Sequence, residues 1–196
     1  LYGWKMKHDP RQPHLPERDR FIMSKGHAAL AQYAALAECG YFPVAELSHV
    51  KKLGGMLQGH PDLRRTPGIE ADTGSLGQGL SIGVGMALGL RLDNLASKVY
   101  VMLGDGELAE GQVWEAAMAA ANFKLDNLVG ILDCNRIQAT GEIVRRFNSY
   151  PFVEKWQAFG WQVSEIDGHD VAAVCTALLD ADQADGERPQ QQVPPA

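Results

Sequence analysis

The chain has 196 residues, of which 45% are hydrophobic and 21% charged, a composition typical of a globular protein with one buried core. Its formal net charge of −6 argues against a nucleic-acid-binding protein, which needs a basic face. Cys39, Cys134 and Cys175 are odd in number and lack metal-ligand spacing, so we expect a reducing, cytoplasmic environment. No signal peptide is visible, and the largely apolar residues 76–90 are too few to span a bilayer, so no membrane partner is expected.

In chain order, the sequence begins with a proline- and charge-rich segment, residues 1–20, that opposes helix formation. Periodic apolar residues, bounded by glycines and prolines, then predict helices and strands. The helices are expected at residues 26–38, 43–53, 76–92, 111–123, 152–159 and 171–179, and the strands at residues 98–103, 128–132 and 161–166. This alternation of strands and helices predicts an α/β fold.

The helix predicted at residues 76–92 contains four glycines, each of which lowers helix stability by about 1 kcal/mol relative to alanine. We therefore expect close packing against this helix to offset the cost. The glycines are Gly79, Gly83, Gly85 and Gly89. Asp170 is expected to cap the last helix.

The strand predicted at residues 98–103 ends at a Gly-Asp-Gly turn, and the strand at residues 128–132 leads to an asparagine. With the helix between them they form a βαβ unit, whose right-handed crossover makes the strands parallel. Asp105 and Asn135 therefore emerge at the same carboxyl edge of the sheet, where open α/β sheets bind ligands. A carboxylate and an amide oxygen, joined by a backbone carbonyl, make an all-oxygen site suited to Mg²⁺ or Ca²⁺. Such an ion leaves positions free for diphosphate oxygens, which Gly106 allows the backbone to approach.

This arrangement resembles the thiamine diphosphate-binding motif, in which a Gly-Asp-Gly turn is followed by an asparagine about thirty residues later. The resemblance implies that Asp105, Asn135 and the carbonyl of Ile137 hold Mg²⁺, or Ca²⁺ or Mn²⁺ in its place. It also implies that thiamine diphosphate is contacted by the turn formed by Gly104, Asp105, Gly106 and Glu107.

Several other segments resemble transketolase in particular. The stretch GDGELAEGQVWEA is followed by KLDNL, and DRFIMSKGHA, GHP and TGSLGQG precede it in the order that this family has. The resemblance covers residues 1–179 and is strongest to the N-terminal subunit of transketolases that are split into two chains. It implies a three-layer fold, in which a mainly parallel sheet carries helices on both faces, of the diphosphate type of thiamine diphosphate-binding domain.

The same resemblance implies three catalytic residues. His27 would contact the diphosphate, and His60 would face cofactor and substrate. Glu110 would hydrogen-bond across a subunit interface to the glutamate that activates the aminopyrimidine. From the residues alone, a structural histidine at a helix end, an exposed loop histidine and a solvated carboxylate are the alternatives.

The resemblance also implies that one further loop lines the cofactor. In the family, the backbone of this loop borders the thiazolium and pyrimidine rings, and its leucine forms an apolar shelf. The matching residues here are Gly74, Ser75 and Leu76. A simple turn followed by a helix N-cap is the structural alternative.

The function implied is transfer of a two-carbon ketol unit between sugar phosphates, with this chain supplying the Mg²⁺–diphosphate half of the site. A partner, the pyrimidine-domain or C-terminal transketolase subunit, would supply the activating glutamate, so we expect an oligomer and an inactive isolated chain. Two alternatives stay open. One is another thiamine diphosphate enzyme, such as a deoxyxylulose-phosphate synthase or a dehydrogenase component. The other is a truncated remnant without catalytic activity.

The chain departs from the family pattern at both ends. The family's N-terminal histidine would precede residue 1, and the strand and His- or Lys-bearing loop that follow in the family are not recognisable after residue 179. We therefore expect a thiamine diphosphate-binding domain at residues 1–181 that is incomplete at both ends. Residues 182–196 have almost nothing to bury, so we expect a disordered tail.

Overall fold

The computed structural model describes residues 1–181 and 189–193. The strands are β1 (Arg20–Met23), β2 (Val99–Gly104), β3 (Leu128–Asp133), β4 (Ile137–Gln138), β5 (Gly141–Glu142), β6 (Gln162–Glu165) and β7 (Gln190–Val193). The α-helices are α1 (Ala29–Glu38), α2 (Gln78–Leu92), α3 (Gly111–Asn122), α4 (Ile143–Arg146), α5 (Val153–Ala158) and α6 (Val171–Asp180). Short 3₁₀ helices cover Gly26–Ala28, Val44–His49 and Asp105–Ala109.

Five of the strands form one parallel sheet in the order β1-β2-β3-β7-β6, and β4 and β5 form a separate antiparallel pair. Alternate residues of the central strands enter two different apolar clusters, because successive side chains of a strand point to opposite faces. Val101 packs with helices α2, α3 and α5, whereas Tyr100 packs with Leu178 of α6. Helices therefore cover both faces of a parallel sheet, which confirms the predicted α/β class.

The unit β2-α3-β3 lies within one residue of its predicted bounds at each end of each element. Its strands are parallel and pair Gly104 with Asp133. The turn after β2 and the loop after β3 therefore leave the sheet side by side, as the crossover argument predicts. The side chain of Asp170 caps α6 by accepting hydrogen bonds from the backbone amides of Ala172 and Ala173, at 2.8 and 3.2 Å.

Three local predictions differ from the structure. Strand β1 was not predicted, because four residues are too few to show a periodic pattern and its pairing with β2 stabilises it. Residues 43–53 were expected to form a helix, but only Val44–His49 do, in 3₁₀ form. The expected disordered tail is wrong at residues 190–193, where backbone pairing with β3 and β6 holds β7 in the sheet. The remainder of that tail, except Pro189, lies outside the described residues.

Close packing explains only part of the glycine content of α2. A Cβ added at Gly79 would lie 2.4 Å from the side chain of Ser24, and one at Gly83 would lie 2.6 Å from Val101. At Gly85 and Gly89, none of the described residues comes within 4 Å of an added Cβ. The expectation that packing offsets all four glycines is therefore correct for the two that face the sheet and wrong for the other two. Among the described residues, no helix is long and apolar enough to cross a membrane.

Candidate functional site

Asp105 occupies the turn directly after β2 and is almost completely buried. Its Oδ1 accepts a hydrogen bond from the backbone amide of Gly106 at 2.8 Å, and its Oδ2 accepts one from the amide of Arg136 at 2.6 Å. Burial raises the pKa of this carboxyl above its ordinary value, and the backbone donors offset part of that rise. A divalent cation at this position would favour the charged form.

The hydrogen bond to Arg136 places the Asp105 carboxylate against the loop that contains the other two expected metal ligands. Asn135 Oδ1 accepts from the amide of Ile137 at 2.9 Å, while Asn135 Nδ2 donates to Asp133 Oδ2 at 3.2 Å. Asn135 and Ile137 are both exposed. The three predicted ligands are thus brought together on two adjacent loops.

The donor set fits a hard cation. A carboxylate, a carboxamide oxygen and a backbone carbonyl are the ligand types that Mg²⁺, Ca²⁺ and Mn²⁺ prefer. Within the described ranges no three His, Cys, Asp or Glu residues cluster in a way that could hold a metal ion. An ion at this edge would therefore depend on the amide and carbonyl oxygens of Asn135 and Ile137 as well as on Asp105.

The segment carrying His27 and the loop carrying Gly74 approach each other closely. A Cβ added at Gly26 would lie 2.8 Å from the backbone nitrogen of Gly74, so only glycine fits at this crossing. The hydroxyl of Thr73 donates to the carbonyl of Met23 at 2.8 Å, which fixes the same loop to the end of β1. The His27 side chain is exposed at this edge.

His60 lies against the other side of the same loop. A Cβ at Gly74 would meet the His60 ring at 3.2 Å, and the carbonyl of His60 accepts a hydrogen bond from Tyr33 Oη at 2.9 Å. His60 and Ser75 are exposed, and Leu76 is half-buried. The structure therefore brings His27, His60 and the loop of residues 74–76 together.

Glu107 and Glu110 both lie just before α3 but differ in environment. Glu110 is exposed, and its Cβ lies where a Cβ at Gly77 would come within 2.7 Å. The Glu107 side chain is buried and accepts from the amides of Gly77 and Gly104 at 2.8 and 3.1 Å and from the hydroxyl of Ser24. Glu110 is thus at the rim of the site, whereas Glu107 is inside the protein beneath it.

Sequence reasoning did not single out Lys25. Its Nζ forms an ion pair with Asp133, at the ends of β1 and β3, and only 13% of the Lys25 side chain is exposed. The ion pair places a cation beside the predicted metal ligands, where it can balance anionic groups. The feature that could have drawn attention to Lys25 is the segment SKGHA, in which the lysine directly precedes the Gly-His pair.

Cys134 lies between Asp133 and Asn135 in the sequence and packs against the core. Burial, together with the nearby Asp105 and Asp133 carboxylates, raises the pKa of its thiol to about 12. The thiol is therefore protonated at neutral pH and unsuited to act as a nucleophile. This agrees with a packing role.

Residues 1–191 match the family model of the transketolase thiamine diphosphate-binding domain. The chain belongs to this family. This transketolase domain is 48% identical over 187 residues to a 6-deoxy-6-sulfo-D-fructose transketolase subunit of Clostridium sp. (strain MSTE9), covering 95% of the chain and 68% of that relative. It is 43% identical over 178 residues to one of the apulose-4-phosphate transketolase subunits of Actinobacillus succinogenes, covering 91% of the chain and 64% of that relative.

Longer relatives match the same region. The transketolase domain is 42% identical over 179 residues to human transketolase, covering 91% of the chain and 29% of the human protein. The solved structure of transketolase from Leishmania mexicana superimposes with a TM-score of 0.92 at 32% identity, covering 99% of the chain and 31% of that protein. The chain thus spans about two thirds of the length of the subunit relatives and less than a third of the length of human transketolase.

Proposed function

We propose that this transketolase-family chain forms the Mg²⁺–diphosphate half of a thiamine diphosphate site that transfers a two-carbon ketol unit between sugar phosphates. The observation that carries the proposal is the hydrogen bond from the Arg136 amide to Asp105, which joins a buried carboxylate to the backbone between Asn135 and Ile137. Family membership supports the cofactor, and the oxygen donors support the metal.

In the proposed site, Asp105, Asn135 and the Ile137 carbonyl hold Mg²⁺, and the ion together with the backbone of Gly104 and Gly106 binds the diphosphate. His27 contacts the same diphosphate, and the nearby Lys25 adds positive charge. The chemistry of the transfer resides in the thiazolium ring of bound thiamine diphosphate, while the protein supplies binding and orientation.

The other half of the site faces the reacting rings and substrate. In the proposal, Gly74, Ser75 and Leu76 line the thiazolium and pyrimidine, and His60 lies beside them toward the sugar phosphate. The closeness of His60 to Gly74 supports a shared role for these residues.

We also propose that a pyrimidine-domain subunit completes the site in a cytoplasmic oligomer. Three carboxylates near this edge are otherwise engaged: Asp105 with the loop that would hold the metal, Glu107 with buried donors, and Asp133 with Lys25. None of these three is free to act as the acid that hydrogen-bonds the aminopyrimidine. Glu110 is exposed at the rim, where it can reach a carboxylic acid on a partner.

Exposed apolar side chains beside the metal loop support this partner. In the segment after Asn135, the side chains of Ile137, Val144 and Phe147 are 57–62% exposed. Exposed apolar side chains that are grouped, as these are within eleven residues of sequence, are typical of a surface that another protein covers. The segment therefore extends the proposed interface beyond Glu110.

The test is a two-carbon transfer assay, with a ketose phosphate donor, an aldose phosphate acceptor, thiamine diphosphate and Mg²⁺. We expect no turnover from the chain alone and turnover after a pyrimidine-domain subunit is added, since that subunit supplies the missing acid. Robust turnover by the chain alone would contradict the half-site proposal. Cofactor binding without turnover in the presence of the partner would favour the non-catalytic alternative.

A further inference from the structure

One buried carboxylate joins the three segments of the site that surround it. Glu107 belongs to the 3₁₀ helix Asp105–Ala109, and its side chain is only 2% exposed. Its Oε1 accepts hydrogen bonds from the Gly77 amide, at 2.8 Å, and from the Ser24 hydroxyl, while its Oε2 accepts from the Gly104 amide at 3.1 Å. Both oxygens of the carboxylate are therefore occupied by protein donors.

Each donor adjoins a residue that the proposed function places on the cofactor. Ser24 precedes the segment that leads to His27, Gly77 follows the loop of residues 74–76, and Gly104 directly precedes Asp105. Ser24 and Glu107 are 83 positions apart in the chain, and Gly77 and Glu107 are 30 apart. A single side chain thus caps its own turn at Gly104 and joins that turn to two loops that are distant in the sequence.

The packing around this carboxylate leaves little freedom. Ser24 is completely buried, and the backbone of α2 approaches it so closely at Gly79 that a Cβ there would lie 2.4 Å from the serine side chain. A buried carboxylate is costly unless donors satisfy it, and here three donors do so. The arrangement is therefore a specific anchor in the interior of the domain.

We propose that Glu107 is a positioning residue that holds the cofactor loops at their working distances without itself touching thiamine diphosphate. The proposal rests on the proposed function, and it replaces the direct cofactor contact that the family resemblance implied for this residue. Its carboxylate acts through Ser24, Gly77 and Gly104. The consequence is that the loops are arranged before the cofactor binds.

The test compares Glu107→Gln with the wild-type chain and with Glu115→Gln, the same change at an exposed position of α3. A glutamine side chain has one acceptor oxygen, so its NH₂ group must face at least one of the three buried donors. Isothermal titration calorimetry with thiamine diphosphate, at several Mg²⁺ concentrations, should show about tenfold weaker binding for Glu107→Gln, because an unsatisfied buried donor displaces the loops. Glu115→Gln should bind like the wild-type chain.

Two further measurements distinguish a positioning role of Glu107 from direct contact with the cofactor or its metal. Amide hydrogen exchange at Gly77 and Gly104 should be slow in the wild-type chain and faster in Glu107→Gln, before any cofactor is added. The loss of affinity should be the same factor at every Mg²⁺ concentration, because the metal ligands are intact. If high Mg²⁺ restored the affinity, Glu107 would act on the metal and the proposal would be overturned.

If Glu107→Gln does not fold, Ser24→Ala tests the same anchor from the donor side. It removes one hydroxyl and leaves the two backbone donors, so we expect about threefold weaker cofactor binding. Unchanged affinity in a folded Glu107→Gln or, failing that, in Ser24→Ala overturns the inference. Failure of the wild-type chain to bind thiamine diphosphate with Mg²⁺ would instead overturn the proposed function.

Discussion

Around Glu107, hydrogen bonds join residues that lie 30 and 83 positions apart, whereas around Asn135 they join residues two positions apart. The first group is buried, and the second is exposed on the loop that follows β3. The two halves of one site are therefore held by different means. Tertiary contacts fix the half around Glu107, whereas local turns shape the surroundings of Asn135 and one long-range bond, from the Arg136 amide to Asp105, fixes its loop.

It follows that folding arranges the Glu107 half before a ligand binds, whereas the Asn135 half can still adjust when the ligand binds. Buried donors and acceptors cannot rearrange without loss of their partners, so the Glu107 half is set by folding. Among the described residues, the Asn135 side chain hydrogen-bonds to Asp133 and Ile137 in its own segment, and exposed segments of this kind open at low free-energy cost. Two anchors limit that freedom: the bond from the Arg136 amide to Asp105, and Ile143, which is fully buried and donates its amide to the Arg136 carbonyl at 3.0 Å.

The largest effect is expected where the two halves meet. Asp105→Ala removes both the proposed charged metal ligand and the acceptor for Arg136, so we expect Mg²⁺-dependent binding of thiamine diphosphate to weaken by more than about 100-fold. Loss of a residue that only supports a metal ligand already costs roughly 10- to 100-fold. The fold should remain, because burial of this carboxylate is itself unfavourable. Titration calorimetry and circular dichroism measure the two outcomes.

The matched control for Asp105→Ala is Asp93→Ala, at an exposed aspartate after α2. Asp105→Asn adds a second comparison, since the amide can still accept one hydrogen bond but has no charge. It should fold like the wild-type chain and bind the metal weakly. Equal cofactor affinity in the wild-type chain and Asp105→Ala would contradict the proposal that Asp105 is a metal ligand.

Substitutions at two glycines of α2 test how tightly the interior near Glu107 is packed. Gly79→Ala forces a methyl group against Ser24, and we expect it to lower the free energy of unfolding by about 1–3 kcal/mol through overpacking. The methyl group of Gly85→Ala would meet none of the described residues within 4 Å, and there the better helix propensity of alanine should raise stability by about 0.5–1 kcal/mol. Urea unfolding of both variants checks the opposite signs.

The same pair of variants connects stability to the site. Because Gly79 packs on Ser24, its substitution should also weaken cofactor binding, whereas Gly85→Ala should not change it. If both variants shifted stability in the same direction, the contrast between the buried and open faces of α2 would be wrong.

The smallest effect is expected in the exposed half. Ile137 is proposed to contribute its carbonyl, and its side chain is 62% exposed, so Ile137→Ala should change cofactor binding by less than about threefold, as is usual for surface substitutions. Leu92→Ala, at an exposed leucine away from the site, is the control. A loss of tenfold or more in Ile137→Ala would mean that the side chain itself contacts the ligand.

The sequence alone determined the structure of the β2-α3-β3 unit. The apolar segments of β2, α3 and β3 are long and regular, so their bounds and parallel arrangement could be predicted, and with them the common edge at which Asp105 and Asn135 lie. The family resemblance was confirmed over nearly the whole chain. These features depend on local pattern and chain connection, which a sequence carries directly.

Only the tertiary structure decided which partners the remaining residues have. Strands β1 and β7 are four residues long and are held by neighbours distant in the sequence, so no local pattern marks them. The ion pair of Lys25 and two of the three donors of Glu107 come from segments distant in the sequence, and a carboxylate in a Gly-Asp-Gly-Glu turn looks the same in sequence whether it faces a ligand or the core. Hydrogen bonds between distant residues depend on the packing of the whole domain, and for that reason the sequence could name the proposed metal ligands but not the residue that we propose holds their loops in place.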